Sequence, residues 1–147
     1  MTAATDSSSD SLAAQPRGRG LHIALWVAQV ILAVMFGMAG FIKTTQPIDQ
    51  LAKNIPWSVV VGLPLTRFIG VSELAGAVGV ILPAATRILP RLTPIAASAL
   101  TLVMVLALGY HVTHGEFQML PLPLGLGCLA AFVAWGRFMK APIAARG

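Results

Sequence analysis

Four long apolar stretches, residues 21–42, 65–82, 94–110 and 120–138, decide what this chain can fold into. Each is about 17 to 22 residues long, against the roughly 20 that a helix needs to cross a 30 Å hydrocarbon core. In lipid the backbone has no water to bond, so a spanning segment must satisfy its own N–H and C=O groups. The stretches are too long for barrel strands and lack strict apolar/polar alternation, which leaves helices. The expected fold class is all-α: a four-transmembrane-helix bundle with a short amphipathic helix in the first outward-facing connection. Composition points the same way, with 56% hydrophobic and only 10% charged residues, where soluble domains carry roughly 45–50% and 25%.

The net charge of +5 raises nucleic acid as a partner. However, the Lys and Arg residues gather at the ends of apolar stretches and form no patch or stripe, so the expected partner is the lipid bilayer and no nucleic acid. Arg17, Arg19, Arg87, Arg91, Arg137, Lys140 and Arg146 fall on one side of such a bundle, whereas Lys43, Lys53 and Arg67 fall on the other. The positive-inside rule then puts both termini in the cytoplasm, for an integral protein of the cell (inner) membrane. The basic residues read as topology signals and headgroup contacts. Residues 1–20, polar, small and punctuated by Gly and Pro, read as a disordered cytoplasmic tail. Residues 21–138 form the membrane domain, and residues 139–147 a second cytoplasmic tail. A cleaved signal peptide is the competing reading of the start, with Gly37 and Ala39 as small residues near a cleavage site. The first apolar run exceeds the 7–15 residues of a typical signal-peptide core, which favours a retained span.

In the connection after the first span, Pro47 suits a first helical turn. Ile48, Leu51, Ala52 and Ile55 recur at helical spacing, with Asp49, Gln50, Lys53 and Asn54 between them. A short amphipathic helix is expected along the bundle or membrane surface, stopped by Pro56 and followed by Trp57 as an interfacial aromatic, with residues 59–63 turning back toward lipid. It is either a connector with one apolar face or a lid over an outward-facing pocket.

Glu73 is the one acid inside an apolar stretch. A charge at the centre of a span costs about 3 kcal/mol by insertion scales, so it needs a partner, a proton or a function. At about 100° per residue its own helical face holds Thr66, Ile69, Gly70, Gly76, Ala77 and Val80, and the opposite face Phe68, Val71, Val78 and Leu82. Small residues allow close helix contact and bulky aliphatics suit lipid, so Glu73 points into the bundle, with Gly70, Gly76 and Ala77 as helix-packing positions. Arg67, roughly 120° round the helix, is a poor partner and is expected to snorkel to the outer headgroups.

A partner must come from another helix. Lys43 ends the first span, and Gln29 lies on nearly the same face of it. The third span, expected to start with Thr93 as cap and Pro94 in the first turn, ends near Tyr110 and His111. At about 1.5 Å per residue, Glu73 lies roughly 12 Å below the outer edge and His111 roughly 5 Å below it. Lys43 reaching inward is the expected ion-pair partner, with His111 linked less directly. His111, His114 and Glu116 make too weak a ligand set for a metal site. Cys128, the only cysteine, excludes paired-thiol redox chemistry within the chain and is expected to pack as a small hydrophobe. Gly37, Gly40, Gly76 and Gly79 read as helix contacts, and no nucleotide signature is present.

These residues resemble a known family. FGMAGFIK at residues 36–43 is similar to the first-helix pattern of DoxX-like membrane proteins, in which a small-residue pair precedes a lysine. GVSELAGA at residues 70–77 is similar to their second-helix signature, and GYHVTH and the terminal WGRF agree. The resemblance covers about residues 22–138. It implies a four-helix bundle of the general kind found in vitamin K epoxide reductase, and it marks Lys43, Gly70, Glu73, Gly76 and His111. Some relatives are described as quinone-linked subunits of thiosulfate oxidation and others as membrane partners of oxidative-stress systems. The cysteine pairs of the epoxide reductases are lacking here, as is any soluble catalytic domain.

Two functional expectations follow. In one, the chain is a redox-associated membrane subunit whose apolar pocket, polarised by Lys43, Glu73 and His111, holds a quinone or another lipophile. A carboxylate in apolar surroundings and an imidazole both suit proton exchange. A redox-protein partner or a second copy of the chain would complete it. In the other, the chain is a non-catalytic scaffold or small transport component whose buried ion pair fixes helix register.

Overall fold

A computed structural model describes residues 17–147. Six helices carry the described residues: α1 (Arg17–Thr45), α2 (Ile48–Asn54), α3 (Trp57–Val61), α4 (Leu63–Thr86), α5 (Leu92–Thr113) and α6 (Pro121–Trp135). A 3₁₀ turn, Phe117–Met119, precedes α6, and one π-helical turn, Gly136–Lys140, continues it. Among the described residues, four segments are long and apolar enough to cross a membrane: Gly18–Thr45, Leu63–Thr86, Leu92–Thr113 and Phe117–Lys140. The expected four-span, all-α architecture is therefore present, each span longer than its apolar run because helical turns extend into the polar flanks. Of the expected N-terminal tail, residues 1–16 lie outside the described residues. Arg17 to Gly20 are helical, which moves that boundary, as one more turn of backbone bonding needs no apolar side chains.

The spans form a ring in which α1 packs on α4, α4 on α5, α5 on α6 and α6 back on α1. Their shared core is built from Leu25, Leu32 and Phe36 of α1, Val80 of α4, Leu100 of α5 and Val133 of α6. Phe68, Val78, Leu102 and Leu106 face outward, more than half exposed, as bulky aliphatics do on a lipid-facing surface. The described start of α1, the end of α4, the start of α5 and the C-terminus share one end of the bundle, called here the terminal face. The other end is the distal face. At the terminal face the left-handed backbone of Arg87 (φ 60°) ends α4, and its carbonyl accepts the Arg146 N–H at 3.0 Å, which ties down the C-terminal segment.

The amphipathic helix of the first connection is α2. Leu51 is buried and Ile48, Ala52 and Ile55 are half-buried, while Asp49, Gln50, Lys53 and Asn54 are exposed. The chain does not simply turn back after Pro56. It forms a second short helix, α3, closed by Gly62 at φ 83°, a left-handed conformation that only glycine adopts without penalty. Thr93 is not a cap: α5 already begins at Leu92, and the buried Thr93 hydroxyl finds no partner. Cys128 is exposed on the outer surface of α6, beside the buried Gly127, and does not pack in the core.

Candidate functional site

The polar centre of the distal half is built where α1 and α4 come closest. A Cβ added to Gly40 would lie 2.6 Å from the Gly70 carbonyl oxygen, and one added to Gly70 would lie 2.8 Å from the Lys43 Cβ. Only glycine at both positions lets the two backbones approach this far. One turn beyond each glycine the partners meet: Lys43 Nζ donates to both oxygens of Glu73, at 2.7 and 2.6 Å. Both residues are buried, Glu73 at 2% exposure and Lys43 at 7%. The face expected to accompany Glu73 is the inward one: Thr66, Gly70, Gly76, Ala77 and Val80 are all buried. Gly76 admits Leu100 of α5 so closely that a Cβ there would overlap it.

Arg67 does not snorkel. Its Nη1 donates to the Lys43 carbonyl and its Nη2 to the Gln46 carbonyl, both at 2.6 Å. The last carbonyls of a helix lack intrahelical donors, and a guanidinium fork bridges two of them while offsetting the negative end of the helix dipole. That local demand outcompetes the headgroups. Glu73, Lys43 and Arg67 thus stitch α4 to the end of α1 at both side-chain and backbone level.

His111 is not bonded to this pair. Its Nδ1 lies 2.6 Å from Glu116 Oε2, closing the α5–α6 connection. His114 stacks on Tyr110 with ring centroids 4.0 Å apart, so the two histidines diverge. An aromatic relay still spans the gap: Lys43 Nζ lies 5.8 Å from the centroid of the Trp57 ring, Trp57 6.4 Å from Tyr110, and Tyr110 5.6 Å from His111. Trp57 of α3 therefore lies against Lys43 as a cation–π neighbour.

A second polar cluster, which sequence reasoning missed, occupies the terminal half. Arg137 is 3% exposed; it is no headgroup contact. Its Nε donates to Gln29 Oε1 at 2.7 Å, while the Gln29 amide donates to the Val80 carbonyl at 2.6 Å. Arg137 Nη1 donates to the Ala141 carbonyl at 3.3 Å and lies 3.1 Å from His22 Nδ1, and the guanidinium carbon lies 5.6 Å from the centroid of the Trp26 ring. The π turn that carries Arg137 packs inward because Gly136 lets Leu25 of α1 come within reach of where a Cβ would sit. The one signal for this cluster was Gln29, a buried amide whose partner no nearby residue supplied.

Two cavities mark the bundle. One, about 310 Å³, opens at the terminal face among His22, Trp26, Ala84, Arg87 and Pro142. The other, about 670 Å³, is an apolar groove between α4 and α5 along Val78, Leu82 and Ile95. Neither is lined by Lys43, Glu73 or His111. Among the described residues no group of three His, Cys, Asp or Glu converges as a metal-ligand set.

With this geometry in place, comparison with known proteins adds one finding. A sequence model described as the DoxX-like family matches residues 27–133, from within α1 to within α6. No curated protein and no solved structure matches the chain.

Proposed function

The chain belongs to the DoxX-like family of membrane proteins, and from that premise we propose that it is a non-catalytic scaffold or small transport component whose Lys43–Glu73 pair locks α1 to α4. The observation that carries this reading is closure: one ammonium engages both carboxylate oxygens, the pair is buried, and neither cavity reaches it. Two charges withdrawn together from water and lipid hold only one helix register, since a slip would leave each unpaired. The terminal face exposes Arg19, Arg87, Arg91, Lys140 and Arg146, against Lys53 at the distal face, where Lys43 is buried and Arg67 is spent on backbone carbonyls. That asymmetry supports a cytoplasmic terminal face in an inner membrane.

A second reading rests on Trp57. If α3 swings away, the Lys43 ammonium it covers becomes a donor for a quinone carbonyl, with Glu73 beside it to exchange a proton; this is the redox-associated subunit with a lipophile pocket. Thermal unfolding and organic extraction of purified wild type, Glu73→Gln and the swapped Lys43→Glu/Glu73→Lys variant separate the two. The lock predicts a loss of about 3–5 kcal/mol in Glu73→Gln, which strands a buried ammonium, and substantial recovery in the swap. It also predicts no stoichiometric lipophile in any extract. A quinone recovered from wild type and lost from both variants would replace the lock with the pocket.

A further inference from the structure

We infer that the apolar groove between α4 and α5 is a binding site for one acyl chain of an anionic phospholipid, whose phosphate is held by Arg91 at the groove's terminal end. Neither Lys43 nor Glu73 lines the groove, so its lipid is bound whichever role that pair has.

The groove has the size, length and lining of an acyl-chain site. Its volume, about 670 Å³, falls within the range of ligand pockets. Gly79 and Ala96 form a partly buried floor: a Cβ on Gly79 would lie 2.7 Å from the Ala96 Cβ, so the helices touch there through their smallest side chains. Val71, Val78, Leu82 and Ile95 line it with more than half of their surface exposed, so it opens sideways to the bilayer. From Val71 to Pro83 it follows α4 for about 18 Å at the helical rise per residue. One leaflet of a roughly 30 Å hydrocarbon core is about 15 Å deep, so the groove accepts a chain over the whole depth of the terminal-side leaflet.

Charge at its end selects the class of lipid. Pro83 and Leu92 lie where the groove reaches the α4–α5 connection, residues 87–91. Arg91 already has helical backbone (φ −64°, ψ −20°), so at four-residue spacing it continues the row of Ile95 and Ala99 that lines the groove. Helical side chains lean toward the N-terminus, and the exposed Arg91 extends this row beyond the apolar lining toward the headgroups. Ile88 and Leu89, 62% and 68% exposed, set the connection at the boundary between acyl chains and headgroups, where lipid phosphates lie. The start of α5 adds the positive end of its helix dipole, with no acid in its first turn. A lipid phosphate accepts charge-assisted hydrogen bonds from a guanidinium, and a basic group at this level favours anionic over zwitterionic lipid.

Thermal unfolding of the purified full-length protein in a neutral detergent tests the site. It is titrated with long-chain phosphatidylglycerol, with phosphatidylcholine of the same chains, and with inorganic phosphate. A ligand that binds only the folded state raises the midpoint in a saturable way, and phosphatidylglycerol alone is expected to do so. In Arg91→Gln the apparent affinity falls by about fivefold, as expected for removing one basic group at the headgroup level. Ala75→Leu fills the groove from its exposed wall, and it too weakens the response while leaving the lipid-free midpoint close to that of wild type. An equal rise with phosphatidylcholine, no saturable rise with phosphatidylglycerol, or a rise unchanged in either variant overturns the site. A dimer that Ala75→Leu dissociates would place a second copy of the chain in the groove and overturns it as well.

Discussion

Long cationic side chains near helix ends have two outlets, the headgroups or the unsatisfied carbonyls at a helix end, and two arginines of this bundle use the second. Arg67 bonds the Lys43 and Gln46 carbonyls and Arg137 the Ala141 carbonyl, so neither serves as a membrane anchor. Arg67→Ala should lower stability by about 1–2 kcal/mol, the half-buried setting trimming the usual worth of a charged hydrogen bond. Arg67→Lys should recover only part of it, because one ammonium cannot reproduce a planar fork on two carbonyls. Denaturation midpoints of the three proteins in detergent test this, and equal midpoints would remove Arg67 from the stitch. The Lys43–Glu73 pairing was legible in the sequence because a lone acid in a span leaves few ways to be satisfied. The environments of Arg137, Thr93 and Cys128 were not: each depends on which way a side chain meets residues far along the chain, as when Arg137 finds Gln29.

Helix faces were the most readable feature at the scale of the element. The inward row of α4 from Thr66 to Val80, the outward row of Phe68, Val71, Val78 and Leu82, and the buried stripe of α2 all follow from 3.6-residue periodicity. Periodicity could not foresee α3 or the π turn after α6, since both are short and take their shape from what they pack against. Glycines within helices divide by the same logic. Gly40→Ala forces its Cβ onto the Gly70 carbonyl and the Leu74 backbone, and should cost about 1–3 kcal/mol. Gly109→Ala meets nothing within 4 Å and should be neutral or stabilising by up to about 1 kcal/mol. Thermal unfolding of the two single variants measures the contrast; a similar loss in both would mean that the α1–α4 crossing is not the tight contact described.

For the whole molecule, the four spans set a topology that charge then orients. In a Cys128→Ala background, Gln118→Cys at the distal face should react with a membrane-impermeant maleimide in intact spheroplasts, whereas Ala145→Cys should react only after permeabilisation. The reverse pattern would invert the assigned orientation. The sequence by itself determined the solvent, the number of spans and the inward turn of Glu73, because apolar length, backbone self-satisfaction and helical periodicity are properties of single segments. Only the tertiary structure decided that His111 bonds Glu116, that Trp57 lies against Lys43 and that Arg137 is buried against Gln29 and His22. Those outcomes depend on how four cylinders rotate and close into a ring, and the rotation is chosen by glycines and bulky side chains acting between helices distant in sequence.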